Sequence, residues 1–408
     1  MAICFVSAAM RHRLNRLPFA EEAIIAGHLI HGDGFLSPYD ASPTAPPSCY
    51  SAPIYPLIIA AAYRLAGTSH AILVLLTVNS LSFGVIAAGV FRLGRFYISS
   101  LAGWLSAVFV VAHPVLLYFV TDWWDSYVAL AIFIGLIAAV AESPPRRLLG
   151  WALMGAAMGV LSLTNPSYLL SYPFLIFMAV RRENRPRRFS LIAICAATFI
   201  AVLMPWTIRN ALVFDRFIPL RGGAGFQMWL GNQPSATGWL EGEMLLAGPS
   251  FNPAERALIL KMGEPNYFDL CDARVKQEYG DAPGEFWLRS ARRFFFLFMS
   301  DPTKAYLPFP MMNDVRWRQI YVDRAVLHGA VMLLGFAGLW TAWRLRLKCV
   351  WIFGAGLLAE IPFVFTFVSD RYNLPMRIIL LFFAGILFAS LIHRIRRGVW
   401  PAKNSSPI

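Results

Sequence analysis

The chain has 408 residues, of which 58% are hydrophobic and 14% are charged, and its mean hydropathy is +0.56. Soluble domains carry about 25% charged residues, so the composition excludes an ordinary soluble protein. The net charge of +13 would suit a nucleic-acid-binding protein. The distribution of the basic residues argues against that class.

Long apolar stretches, separated by short connections, occupy most of the chain. Each is long enough to cross a hydrocarbon core of about 30 Å, where backbone polar groups must be satisfied within a helix. We therefore expect an all-α integral membrane protein with about nine or ten transmembrane helices. The predicted spans are 70–91, 101–119, 124–141, 148–164, 167–180, 190–208, 326–343, 349–368 and 374–393.

The chain begins with an apolar fragment, residues 1–10, that is too short to span a bilayer. We interpret it as the end of a first transmembrane helix and expect the full-length gene to begin upstream. A signal peptide is the alternative, but a charged n-region and a small-residue cleavage site are missing. Further on, the apolar segment 51–67 carries Arg64 and is predicted to be an interfacial helix.

The basic residues mark one side of the predicted bundle. Alternate connections together hold 16 Lys and Arg against two acids, Glu142 and Glu183; these connections are 92–100, 142–147, 181–189, 344–348 and 394–408. The positive-inside rule places them, and the C-terminus, in the cytoplasm. The basic charge therefore reports topology, and we expect no nucleic-acid partner.

This topology divides the chain into three parts. Residues 1–208 form an N-terminal transmembrane module whose external loop, 11–69, is predicted to be catalytic. Residues 209–325 form a small mixed external region on the periplasmic or luminal side. Residues 326–408 form the C-terminal transmembrane helices and a cytoplasmic tail. A disulfide between Cys49 and Cys271, the two external cysteines, is left open.

Polar residues that can carry chemistry gather at the external ends of the spans. Glu21 and Glu22 follow the first apolar fragment, and Asp122 and Asp125 lie three residues apart between two spans. Each has a structural alternative, such as charging a helix N-terminus or lying solvated in a loop. Other candidates at this face are His113, Asn165, Arg209, Trp229, Asn232, Arg371 and Tyr372.

One carboxyl group, Glu360, lies inside an apolar span. A carboxylate there is costly and is by default a functional hypothesis. The alternative is a neutral, hydrogen-bonded structural group, and the sequence assigns Glu360 no step in a mechanism.

An ordered set of motifs runs through most of the chain. It comprises Glu22, Gly32-Asp33-Gly34-Phe35, Pro43-Thr44-Ala45, Pro53-Ile54-Tyr55-Pro56-Leu57, Asp122-Trp123-Trp124-Asp125, Pro205-Trp206-Thr207-Ile208-Arg209-Asn210, Trp229-Leu230-Gly231-Asn232 and Arg371-Tyr372 with Leu374-Pro375. The set resembles the GT-C glycosyltransferases that use lipid-linked sugars, specifically the bacterial family-39-like members. Protein O-mannosyltransferases and the aminoarabinose transferase of lipid A are relatives in that family.

The resemblance implies a donor sugar on a polyprenyl phosphate and an acceptor hydroxyl on a lipid, glycan or protein. Transfer would invert the anomeric carbon outside the cytoplasm, in the bacterial inner membrane. Glu22 would accept the hydroxyl proton, with Glu21 as the fallback, and Asp122 would be the second carboxylate. Arg371 and Arg209 would bind the phosphate. Substrate contacts are expected from Tyr372, Asp125, His113, Asn165, Trp229 and Asn232.

No cofactor is certain, although the resemblance allows a divalent cation between Glu22 and Asp122. Two other functions compete with the transferase. A transporter or flippase for lipid-linked glycans would be expected to place its polar residues near the membrane midplane, with small external loops. A polysaccharide polymerase, or a non-catalytic relative with the same architecture, is not expected to depend on Glu22.

Overall fold

The computed structural model describes residues 21–142, 147–181, 183, 185–233, 236, 238, 242–298 and 315–397. Over these residues the chain forms helices and turns, with no β-strand. The expected all-α architecture is confirmed. The predicted first-helix fragment, 1–10, lies outside the described residues.

The N-terminal half contains eight α-helices and one 3-10 helix in its described part. They are α1 Glu21–His31, α2 Ile54–Tyr97, α3 Ser100–Ala112, α4 Pro114–Phe119, α5 Ser126–Glu142, α6 Leu148–Thr164, the 3-10 helix Pro166–Ser171, α7 Tyr172–Val180 and α8 Arg185–Phe214. The remaining described helices are α9 Ala224–Gly231, α10 Gly242–Ala247, α11 Pro253–Met262, α12 Glu264–Asp281, α13 Pro283–Phe296, α14 Val315–Arg344, α15 Trp351–Phe365 and α16 Leu374–Arg397.

The apolar helices coincide with the predicted spans. Among the described residues, three are long and apolar enough to cross a membrane, namely Ile54–Tyr97, Arg187–Phe214 and Leu374–Arg396. Shorter apolar helices, α3, α5, α6, α7 with the 3-10 helix, and α15, fall on other predicted spans.

Two predicted boundaries illustrate how glycine and proline interrupt these helices. Gly67 has a positive φ of 68° and breaks α2 at the predicted border between the interfacial segment and the first span. The predicted span 101–119 is not one helix, because α3 ends at Ala112 and α4 begins at Pro114. Proline disfavours helical backbone in the residue before it, and His113 is extended, with ψ of 118°.

The helices pack into one large apolar core to which α2, α3, α5, α6, α7, α15 and α16 all contribute. Close approach between helices is achieved with small residues. A Cβ on Gly338 of α14 would overlap the Phe383 carbonyl of α16, and one on Gly155 of α6 would overlap the Cys195 carbonyl of α8.

The described part of residues 209–325, the region predicted to be external and here named the external segment, builds a second core that also holds the first loop. Helices α9 and α12 bury aromatic residues, and α11 buries Ile259, in the core that contains Tyr39 and Cys49 of that loop. Glu264, at the start of α12, accepts hydrogen bonds from the Ser48 hydroxyl at 2.9 Å and the Cys49 amide at 2.7 Å. Cys271 lies in the same core, and both thiols are free, so the disulfide that the sequence left open is not formed.

Candidate functional site

Four charged residues from separate segments form what we call the acid–arginine cluster: Glu22, Asp125, Arg221 and Arg371. Glu22 lies in the first turn of α1, and one of its carboxylate oxygens is buried without a hydrogen-bond partner in the described part of the chain. The pKa of Glu22 is raised to about 7, mainly by burial and also by the negative charges of Glu21 and Asp125, while Arg371 opposes the increase.

Asp125 directly precedes α5, and the amide of Ala129 donates to its backbone carbonyl at 3.0 Å. Its carboxylate accepts hydrogen bonds from the side chains of Asn165 and Ser126, and burial raises its pKa against the opposing charges of Arg371 and Arg221. Asn165 is itself fixed as the cap of the 3-10 helix, where its Oδ1 accepts from the Ser167 amide at 3.1 Å. Asp125 is therefore held by residues at the N-terminal ends of two helices, α5 and the 3-10 helix.

Arg371 comes from the connection between α15 and α16. Its guanidinium lies 3.8 Å from the centroid of the Trp124 ring and 4.6 Å from that of Tyr372. It also donates to the Tyr372 hydroxyl at 2.5 Å. Tyr372 in turn stacks on Phe363, with ring centroids 4.5 Å apart. Cation–π contacts on aromatic faces fix the direction of this arginine without neutralising its charge.

Arg221 is the cluster residue that the sequence interpretation missed. It precedes Gly222-Gly223, in the connection between α8 and α9, and its charge acts on Asp125 and on Tyr50. The glycine pair that follows Arg221 was the sequence feature that could have drawn attention to it. A Cβ on Gly222 would press against Phe268 and Cys49, so only glycine lets this loop lie against the external core.

Aromatic residues of the first loop border the cluster. Tyr50 is partly buried, and its pKa is raised by this burial and by the negative charges of Glu21 and Glu22. Tyr39 packs against it edge to face, with ring centroids 5.7 Å apart. Glu21 itself accepts a hydrogen bond from the Ser250 hydroxyl at 2.7 Å, which ties α1 to the external segment.

Asp122 and Asp125 differ in their surroundings. The backbone carbonyl of Asp122 accepts from the Asn79 amide group at 2.7 Å, and Asp122 lines a cavity of about 10 Å³ with Trp123. The charge of Asp125 acts on Glu22 and raises its pKa. The structure thus brings Asp125 to Glu22, although the sequence interpretation gave the leading role to Asp122.

Arg209 lies near the C-terminal end of α8, where this helix contacts the first loop. Its guanidinium donates to the backbone carbonyls of Ser48 at 2.8 Å and Phe35 at 3.0 Å, and it lies 5.0 Å from the centroid of the Trp206 ring. These contacts hold the first loop on the end of α8. Arg209 therefore shapes the loop that follows α1, while Arg371 and Arg221 act on the carboxylates.

Trp229 and Asn232 lie in the external segment. Trp229 is buried in its core, with the Arg274 guanidinium 4.9 Å from the ring centroid. Asn232 is 2% exposed; it donates to the Phe365 carbonyl at 3.1 Å and accepts from Arg293 at 2.9 Å. Asn232 thereby joins the external segment to the end of α15.

Two further candidates cap helices. The buried His113 ring accepts a hydrogen bond from the Val115 amide at 3.3 Å, at the start of α4. Glu360 accepts from the Met376 amide at 2.8 Å, at the start of α16. Both contacts satisfy backbone donors that would otherwise be orphaned at a helix N-terminus. The hydrogen bond of Glu360 matches the structural alternative that the sequence left open for it, and His113 has a capping role.

The divalent cation allowed for Glu22 and Asp122 stays a prediction. The part of the chain that the structure describes contains no group of three or more His, Cys, Asp or Glu side chains placed to hold a metal ion. The positive charge of Arg371 acts on both Glu22 and Asp125, and that of Arg221 acts on Asp125.

No protein-family model matches the chain, and no curated protein matches it. Two solved structures are similar to it. The crystal structure of ArnT from Cupriavidus metallidurans bound to undecaprenyl phosphate has 14% sequence identity and a TM-score of 0.44, over 97% of this chain and 78% of that one. ArnT from Cupriavidus metallidurans in the apo state has 15% identity and a TM-score of 0.41, over 94% of this chain and 75% of that one.

Proposed function

We propose that the chain is a membrane glycosyltransferase that moves a sugar from a polyprenyl-phosphate donor to a hydroxyl acceptor. The observation that carries this proposal is the acid–arginine cluster, in which two partly buried carboxylates and two guanidinium groups converge from four separate segments of the chain. A proton acceptor beside a cationic site is what transfer from a phosphate leaving group requires. The motif resemblance to the GT-C glycosyltransferases supports the same conclusion.

In the proposed reaction the acceptor oxygen attacks the anomeric carbon while the bond from that carbon to the phosphate oxygen breaks. The electron pair of the broken bond leaves on the phosphate, and the configuration at carbon inverts. Glu22 accepts the proton of the attacking hydroxyl. A carboxylate with a pKa of about 7 suits this role, because a general base works best when its pKa lies near the operating pH.

Arg371 and Arg221 stabilise the charge that develops on the leaving phosphate. A guanidinium matches phosphate oxygens with paired N–H donors, and it stays charged when partly buried. Arg371 is held by the faces of Trp124 and Tyr372, so its charge needs little reorganisation during the reaction. Asp125 positions the two arginines and raises the pKa of Glu22.

We place this chemistry on the periplasmic or external face of a bacterial inner membrane, with the C-terminus in the cytoplasm. The asymmetry of Lys and Arg between alternate connections supports that orientation. The identity of the sugar and the nature of the acceptor have no local signature among these residues.

The proposal is tested by measuring glycosyl transfer in membranes that contain the chain, using a panel of radiolabelled polyprenyl-phosphate sugars. We expect transfer from at least one donor. Arg371→Gln should reduce it about 100-fold or more, as loss of a charged group facing the leaving phosphate does. Arg216→Gln is the matched control, because Arg216 forms an exposed ion pair with Asp269 away from the cluster. Absence of transfer from every donor by inserted, folded protein would favour a transporter or a non-catalytic protein instead.

A further inference from the structure

A second site lies at the opposite end of α15 from Arg371. A cavity of about 430 Å³ lies where the C-terminal ends of α7 and α14 meet the N-terminal end of α15. Since α15 has 15 residues, with a rise of about 1.5 Å each, it places this cavity roughly 22 Å from the loop that carries Arg371. By the charge asymmetry, this end of the helices faces the cytoplasm.

Three cations line the cavity: Arg181, Arg346 and Lys348. They come from the two basic connections 181–189 and 344–348, and no acidic residue lines the cavity with them. Among the described residues, none of the three takes part in an ion pair. A concave surface lined by one sign of charge concentrates ligands of the opposite sign.

The backbone of Arg346 adds an independent observation. Helix α14 ends in a Schellman motif, in which the Leu347 amide donates to the Ala342 carbonyl and the Arg346 amide to the Trp343 carbonyl, both at 2.9 Å. Arg346 therefore occupies the left-handed position, with φ of 53°, where glycine is preferred. An arginine is less favourable than glycine for the backbone at this position, and the Arg346 side chain lines the cavity.

The walls of the cavity suit a lipid rather than a free ion. Two indole rings line it, Trp343 and Trp351. Trp351 is oriented by a hydrogen bond from its Nε1 to the Tyr97 hydroxyl at 3.1 Å. Trp343 is 56% exposed, and Phe177 of the neighbouring helix α7 is 59% exposed, so apolar surface continues from the cavity toward the bilayer. Cations beside exposed tryptophans at a helix end are typical of the membrane interface.

We propose that this cavity binds the phosphate headgroup of an anionic phospholipid from the cytoplasmic leaflet. Arg346, Lys348 and Arg181 bind the phosphate oxygens, and the acyl chains run along the exposed apolar surface beside Trp343. The site lies apart from the acid–arginine cluster, and its occupancy does not depend on the proposed transferase activity.

The test is a binding titration of the purified full-length chain in a neutral detergent, with tryptophan fluorescence as the readout. The probes are short-chain phosphatidylglycerol, phosphatidylcholine of the same chain length, and inorganic phosphate. We expect phosphatidylglycerol to bind more tightly than the other two. Arg346→Gly and Lys348→Gln should each weaken that binding roughly tenfold, as loss of one charge-assisted hydrogen bond does.

Arg346→Gly is the diagnostic variant, because glycine suits the backbone at this position and the fold should keep or gain thermal stability. Arg344→Gln is the matched control. Arg344 lies at the same helix end, but its guanidinium lies 4.9 Å from the centroid of the Trp340 ring, and it does not line the cavity. Equal binding of phosphatidylglycerol by wild type and both cavity variants would overturn the site. Preferential binding of inorganic phosphate would overturn the lipid assignment.

Discussion

Glu22 is the residue on which the proposed chemistry depends most. Burial keeps its carboxyl protonated to higher pH than usual, and Glu21 and Asp125 add to the effect, so that its pKa is about 7. Part of this arrangement was predictable, because Glu22 and Asp125 both follow apolar segments at the face that the sequence predicts to be external. Their contact was not, since it depends on how α1 and the start of α5 pack in three dimensions.

The pH dependence of transfer follows from this pKa. The value of kcat/KM should rise about tenfold per pH unit below 7 and level off above it, since only deprotonated Glu22 accepts a proton. Glu21→Gln should keep transfer and move the acidic limb of the pH profile to lower pH. The reason is that Glu21 is the neighbouring carboxylate that raises the pKa of Glu22 most. If Glu21→Gln leaves the acidic limb of the pH profile unmoved, or loses as much transfer as Glu22→Gln, the result would point to Glu21 as the base.

Because its pKa is raised, Glu22 lowers the stability of the folded chain at neutral and higher pH. The folded chain binds a proton at Glu22 between about pH 4.5 and 7 that the unfolded chain does not, so stability falls as pH rises through that window. Glu22→Gln should therefore raise the free energy of unfolding at pH 8 by about 1 to 3 kcal/mol and change it little at pH 4. Thermal unfolding in detergent at the two pH values measures this. Equal effects at both values would contradict a raised pKa.

At the scale of elements, the helices are held together by close contacts at small residues. Gly338 of α14 is such a contact, because a Cβ there would overlap the backbone of Phe383 in α16. Gly338→Ala should lower the free energy of unfolding by about 1 to 3 kcal/mol. Gly329→Ala on the same helix is the matched control, because no atom lies within 4 Å of its added Cβ. Thermal unfolding of the two variants in the same detergent provides the comparison, and equal losses would contradict the proposed packing.

Local sequence signals predicted most of the elements and missed those that depend on tertiary contacts. Apolar length placed the spans, and Gly67 marked the break in α2. The interruption at His113 could also have been predicted, because Pro114 disfavours a continuous helix there. The role of Arg209 in holding the first loop was not predictable, since its partners, the carbonyls of Phe35 and Ser48, lie more than 160 residues away.

At the scale of the whole molecule, charge separates the two ends of the bundle. Carboxylates and arginines from distant segments meet at one end in the acid–arginine cluster, and a cavity whose charged lining residues are all basic lies at the other. Composition predicted the class of this molecule, and the distribution of Lys and Arg along the chain predicted its charge asymmetry. It did not predict that Arg221 joins the cluster, because that depends on how the external segment folds back over the first loop.

The predicted orientation is open to a direct test with reporter fusions. A green fluorescent protein fused after Ile408 should fluoresce, because it folds in the cytoplasm. An alkaline phosphatase fused after Gly263, in the external segment, should be active, because that enzyme requires the periplasm. The opposite pair of results would invert the topology and place the acid–arginine cluster in the cytoplasm.

The most direct test of the central claim is the rate of glycosyl transfer by Glu22→Gln, relative to wild type, in membranes that contain equal amounts of folded protein. Glu285→Gln is the matched control, since Glu285 also lies in the first turn of an external helix but is exposed to solvent. We predict that Glu22→Gln loses at least about 100-fold in rate, as expected for removal of a general base, while Glu285→Gln keeps the wild-type rate. Transfer by Glu22→Gln at the wild-type rate would contradict the assignment of Glu22 as the proton acceptor.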